Sequence, residues 1–122
     1  MTNTAQALYQ FFSSFGIPAY TSNNIPDNVS MPYITYELKV PSPLSVTNLH
    51  AWVWYRGNGF DDVLAKCNEI ESALEHGYSA TTPSGAIRLF KDDDIPFAQE
   101  QPDPDRSIRV MFLTMILHAN TT

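Results

Sequence analysis

Ser107-Ile108-Arg109-Val110-Met111-Phe112-Leu113-Thr114-Met115-Ile116-Leu117-His118 is the stretch whose reading decides the fold. It reads as a strand. Ile108, Val110, Phe112 and Ile116 lie on one of its faces, and Met111, Leu113, Met115 and Leu117 on the other. A strand with water on one side alternates apolar with polar residues. This one is apolar on both sides, so it needs cover on both. Two helices can cover one face of a small sheet. Another copy of the chain is the economical cover for the second, because large exposed apolar patches mark interaction surfaces. Trp52 and Trp54 fall on that second face if the strands are arranged as read here. Trp52, Trp54, Met111, Leu113, Met115 and Leu117 are therefore expected to form a subunit interface or a second buried layer.

Working outward, residues 46–56 form a second long strand. Leu49, Ala51, Val53 and Tyr55 share one face, and His50, Trp52, Trp54 and Arg56 the other. Residues 32–38 form a strand with Ile34, Tyr36 and Leu38 on one side and Tyr33, Thr35 and Glu37 on the other. Pro41 and Pro43 break the chain between these two, since proline cannot donate to a ladder. Gly85 to Lys91 is a further strand, with Ile87 and Leu89 on one face.

Residues 2–16 read as a helix, capped by Thr4 and ended by Gly16. Its apolar stripe is Ala5, Leu8, Phe11, Phe12 and Phe15. A second helix runs from Phe60 to His76 and is ended by Gly77. Asp61 and Asp62 suit the positive end of its dipole. Phe60, Val63, Leu64, Cys67, Ile70 and Leu74 form its buried stripe. Residues 17–31 read as a loop with a short extended piece at Ala19–Thr21. Residues 39–45, 78–84 and 92–106 read as loops, the last acidic and proline-rich. The order is α-β-β-α-β-β: an α+β domain, with a mostly antiparallel four-stranded sheet and two helices packed on one face. Its 122 residues suit one domain spanning 1–122.

Hydrophobic residues are 43% and charged residues 16% of the chain, which excludes a disordered protein. No apolar run approaches the roughly 20 residues of a membrane span, so no membrane partner is expected. The first residues lack the pattern of a signal peptide, and the chain is expected to be cytosolic when made. Seven basic residues against 13 acidic ones leave a net charge of −6, which argues against tight nucleic-acid binding.

Candidate chemistry is sparse. Gly57-Asn58-Gly59 begins like a phosphate loop, but two acids follow it and the third glycine is absent. It reads as a turn opening a helix. Asp92, Asp93 and Asp94 lack the spacing of a calcium loop. His50, His76 and His118 lack zinc-ligand spacing. Cys67 sits on a buried stripe and reads as an inert thiol; as the single cysteine it excludes an internal disulfide. Ser84-Gly85 is not flanked as a nucleophile elbow would be. No catalytic residue, cofactor or metal is expected, and the chain does not read as an enzyme.

Several segments together carry a family resemblance. They are Phe15-Gly16-Ile17-Pro18-Ala19-Tyr20, residues Ile25 to Tyr36, Trp54-Tyr55-Arg56, Ala65 to Ile70, Gly85 to Leu89, and Pro96-Phe97-Ala98-Gln99. In order and spacing the chain resembles the tail-terminator or tail-completion proteins of long-tailed bacteriophages and prophages, also labelled minor capsid proteins. The likeness covers roughly residues 8–115; Asn23-Asn24 and the triple aspartate depart from it. It implies a ring, usually a hexamer, at the end of the tail tube. There the ring stops tube growth and meets a head-side neck protein. The implied partners are other copies of the chain, the tail tube protein and the neck protein. The implied location is the virion tail at the head–tail junction, after assembly in the host cytoplasm. Asp92, Asp93, Asp94, Glu100, Asp103 and Asp105 would then face the ring's lumen or a docking partner, or solvate an exposed loop. The alternatives are a head-side connector ring and a small cytosolic ligand-binding domain whose pocket Trp52, Trp54 and Tyr55 would line.

Overall fold

β7 (Ile108–Thr121) is the centre of the molecule. The computed structural model describes residues 3–40, 42, 45–57, 59–82 and 85–121. Along one side β7 pairs antiparallel with β3 (Val46–Arg56) over eleven consecutive positions, from Val46 opposite His118 to Arg56 opposite Ile108. Its other side is shared. β5 (Gly85–Phe90) takes the C-terminal half, and β6 (Ala98–Gln101) takes positions Val110 to Leu113.

β2 (Tyr33–Tyr36) extends the sheet beyond β3, and β1 (Ala19–Thr21) pairs with β2 in parallel. β4 (Tyr78–Thr82) closes the opposite edge against β5. The order across the sheet is β1-β2-β3-β7-β5-β4, with β6 beside β7.

This corrects the expected four-stranded, mostly antiparallel sheet in the order α-β-β-α-β-β. The sheet has seven strands, is mixed, and curls into a half-barrel, with two helices. Three strands escaped a pattern-based reading for a common reason: they are short edge pieces held by backbone hydrogen bonds rather than by an apolar period. β1 was legible only as an extended piece, and its parallel pairing has no local signature. β4 reads as a Ser/Thr/Pro loop, yet its β-branched threonines suit a pleated edge. β6 lies between Pro96 and Pro102; Phe97 anchors its start by burying its ring and accepting the Thr114 N–H at 2.9 Å. Pro41, Pro43, Asn58 and Ser84, which figured in the loop and turn expectations, lie outside the described residues.

Both helices pack on one face of the sheet. α1 (Thr4–Ser13) buries Ala7, Leu8, Phe11 and Phe12. Ala5, expected on this stripe, is exposed, and Phe15 is half-buried. The N-cap is Asn3, not Thr4: its side chain accepts the Gln6 N–H at 2.8 Å, and the Gln6 side chain accepts the Asn3 N–H at 3.0 Å. This reciprocal box satisfies two backbone donors that the helix start leaves over. α2 (Asp61–Ala73) buries Val63, Cys67 and Ile70. Leu64 was expected in that stripe but is 43% exposed, one residue round the helix from the buried Val63-Cys67-Ile70 row. Gly16 and Gly77 both have left-handed backbone, φ 83° and 81°, two residues beyond the Ser14 cap of α1 and three beyond the Leu74 cap of α2, where the chain turns away from each helix.

The core lies between the helices and the sheet. Phe12 stacks on Tyr36 at 4.6 Å, and Phe11 meets Tyr78 at 4.8 Å. Ile34, Leu49, Ala51, Val53, Leu89, Leu113, Met115 and Leu117 supply the sheet side.

Candidate functional site: the open face of the sheet

The β3–β7 register decides which residues share a face. Trp52 lies opposite Phe112 and Trp54 opposite Val110, whereas Val53 lies opposite Met111 and Ala51 opposite Leu113. The expected interface set is thus divided between two faces. Met111, Leu113, Met115 and Leu117 point at the helices and are core within a single chain. Trp52 and Trp54 lie on the open face with Val110, Phe112 and Ile116. The missing cover for β7 is partly its own neighbours, since large aromatic side chains lie across it.

These side chains form two aromatic groups. Tyr20 meets Tyr33 edge-on at 6.0 Å, and Tyr33 stacks on Trp54 at 5.9 Å. Trp52 tilts against Phe112 at 5.5 Å, and His50 stacks on the other part of the same ring at 4.9 Å. The indole nitrogens have partners already: Trp54 Nε1 donates to Thr35 Oγ1 at 2.9 Å and Trp52 Nε1 to Gln101 Oε1 at 3.0 Å. The polar edges of the rings are satisfied inside the chain, and the rings remain half-buried. A second surface against this layer would remove apolar area from water without orphaning a donor.

The rim is polar. Glu37 accepts both the backbone N–H and the Nδ1 of His50, each at 2.8 Å, and lies 3.6 Å from Lys39. Arg56 donates to Ser107 Oγ at 2.9 Å and lies 3.5 Å from Asp105. Hydrogen bonds from the Ser107 hydroxyl and N–H hold the Asp105 carboxyl below its usual pKa, with the Arg56 charge adding to them. Arg88 stands on the same face as His118 and reaches over the Phe90 ring at 6.0 Å.

The six acids expected in one loop do not form one cluster. Asp92, Asp93 and Asp94 make the turn after β5, where Asp92 Oδ1 accepts the Asp94 N–H at 2.9 Å. Glu100 sits on β6. Asp103 and Asp105 follow it, Asp103 accepting the Asp105 N–H at 2.9 Å. The two aspartate turns lie on either side of β6 along the chain.

Tyr55 stands on the helix side, next to α2, rather than with Trp52 and Trp54. Burial raises its pKa, with the Asp62 and Glu69 charges adding to the effect. Cys67 is buried, and that burial pushes its thiol up to about 12. Among the described residues no three His, Cys, Asp or Glu side chains come together as a metal site, and no helix is long and apolar enough to cross a membrane.

Sequence reasoning passed over Tyr33, Phe112 and Gln101 as members of this layer. The available signal was polarity. Thr114 and His118 interrupt the apolar pattern on the Phe112 side of β7, although Thr114 is itself buried. Beyond Arg109, the Met111 side is apolar and suits the helices. No family model, curated protein or solved structure matches the chain.

Proposed function

We propose that this chain is a structural ring protein of a bacteriophage tail. On this reading it seats on the end of the tail tube, stops tube growth, and presents the surface that the head-side neck protein joins. Its partners are further copies of itself, the tube protein and the neck protein, and its place is the head–tail junction of the virion. It is not a catalyst. The observation that carries the proposal is the aromatic layer on the open sheet face. Subunit interfaces have cores rich in Trp, Tyr and Phe and poor in charge, with a polar rim. The Tyr20-Tyr33-Trp54 and Trp52-Phe112-His50 groups, rimmed by Glu37, Arg56 and Arg88, have that composition.

The test is co-assembly with the tail tube protein of the same genome, read by electron microscopy. Tubes of limited length with a ring at one end are expected. Trp52→Asp should abolish the ring and release tube growth. Tubes of unchanged length with bare ends in the presence of the parent chain would refute the reading.

A further inference from the structure

We infer that the outer edge of β4 pairs with the same edge of a second copy, antiparallel about Ala80, so that the sheet runs on through two chains. This contact goes beyond the ring reading. It uses a different surface and closes at two chains, because the same patch serves on both sides. Among the described residues β4 has a strand partner on one side only, β5. Its other side presents backbone N–H and C=O groups at alternate positions, a template for a further strand. Ser79 and Thr81 on this strand are exposed.

Among the described residues β1, β4 and β6 each have one strand neighbour, and the three are not alike. Proteins blunt free edges with short strands, charges or prolines. β1 is three residues long and follows Pro18. β6 carries Glu100 and lies between Pro96 and Pro102. β4 has five residues, Tyr78-Ser79-Ala80-Thr81-Thr82, with no charge and no proline within it. It is also complementary to itself. In an antiparallel pair centred on Ala80, Ser79 of each chain lies opposite Thr81 of the other, and Ala80 opposite Ala80. Hydroxyl pairs of this kind stabilise a ladder, and no like charges are opposed. Tyr78 and Ala80 pack against the core on the helix side, so Ser79 and Thr81 point to the other face. Arg88 stands one strand further in, opposite Ser79 on β5. Pairing β4 with β1 of another copy would use three positions, and pairing it with β6 would bring Glu100 into the ladder. The longest uncharged edge that a copy offers to β4 is β4 itself, and this argues for a second copy as the occupant.

The experiment is sedimentation and light scattering up to millimolar concentration, with amide hydrogen exchange on β4 and circular dichroism confirming that each variant folds. It is run on the parent and on Trp52→Asp, which removes the open-face contact and leaves β4 untouched. Pairs of chains are expected in Trp52→Asp, and pairs or multiples of them in the parent, with Ser79 to Thr81 protected where pairs form. In both chains Ser79→Lys with Thr81→Lys sets like charges opposite each other and should weaken pairing about tenfold. Ser79→Glu with Thr81→Lys sets opposite charges in the same places and should restore it, now with a salt dependence that the neutral edge lacks. The inference is overturned if the parent is monomeric throughout, if the like-charge variant pairs as the parent does, or if the opposite-charge variant pairs no better than the like-charge one. Pairing of β4 with the tube protein in place of a second copy also overturns it. Chains that pair through β4 yet leave tail tubes uncapped refute the tail-end reading and spare this contact. Capped tubes built from chains that never pair through β4 refute this contact alone.

Discussion

Leu113 and Leu64 are the same residue type with opposite fates. Leu113 is fully buried at the centre of β7, beneath the helices, and Leu64 is 43% exposed on the acidic side of α2. Leu113→Ala should therefore cost about 2–5 kcal/mol in urea unfolding, the range for removing a buried leucine side chain. Leu64→Ala should stay within about 0.5 kcal/mol in the single chain, as surface substitutions usually do. Equal losses for the two would mean that the helix face is wrongly placed. Cys67 provides a second test. Its thiol is pushed from 9.0 up to about 12 by burial first, with the Glu71 charge adding to it. The folded chain therefore keeps this proton where the unfolded chain loses it. The resulting stability is present below about pH 9 and is lost as pH rises toward about 12. Stability measured across that window should fall more steeply for the parent than for Cys67→Ala. Parallel curves would show that the thiol is not buried.

The two helix ends separate backbone strain from crowding. Gly16 and Gly77 have nearly the same positive φ, 83° and 81°. A side chain added at Gly16 meets nothing within 4 Å, while at Gly77 its Cβ would come 3.4 Å from Arg88 Nη2. An alanine in this conformation costs about 1–2 kcal/mol from backbone sterics alone. Gly16→Ala should show that loss, and Gly16→Asn a smaller one, because asparagine tolerates left-handed backbone. Gly77→Ala should lose a similar amount, since the guanidinium is the flexible end of a side chain and can move aside. Unfolding midpoints of the three variants in urea check this. A Gly16→Ala chain as stable as the parent would contradict the left-handed end of α1.

Over the whole molecule the net charge of −6 governs encounters with polyanions. A protein with this balance has no surplus of cations to displace counterions from DNA. Fluorescence anisotropy with labelled duplex DNA should show no binding at physiological salt, and binding there would contradict a tail-end ring through which a genome slides. Replacing Asp92, Asp93 and Asp94 with asparagine removes three of the acids and keeps an oxygen at position 92 for the Asp94 N–H. Stability should change by no more than about 0.5 kcal/mol. Normal tail assembly with slowed DNA ejection would place this turn at the lumen, and failed head joining with normal tubes would place it at the neck. No change in either would leave it as a solvated turn.

Local pattern by itself determined both helices, the long strands 46–56 and 107–118, the separation of each strand's residues into two faces, and the inert setting of Cys67. These depend on periods of two and 3.6 residues and on helix-end chemistry, which act within a few residues. The tertiary structure alone decided which face of β3 lies with which face of β7. Strand pairing has a side-chain period of two, so a shift of one residue moves every side chain to the opposite face. That parity put Phe112, rather than Leu113, beside Trp52, and turned four expected interface residues into core. The structure alone also decided the edges. β1 and β6 are held by backbone hydrogen bonds to strands further along the chain and β4 by pairing with the adjacent β5, and such bonds leave almost no mark on which side chains a segment carries.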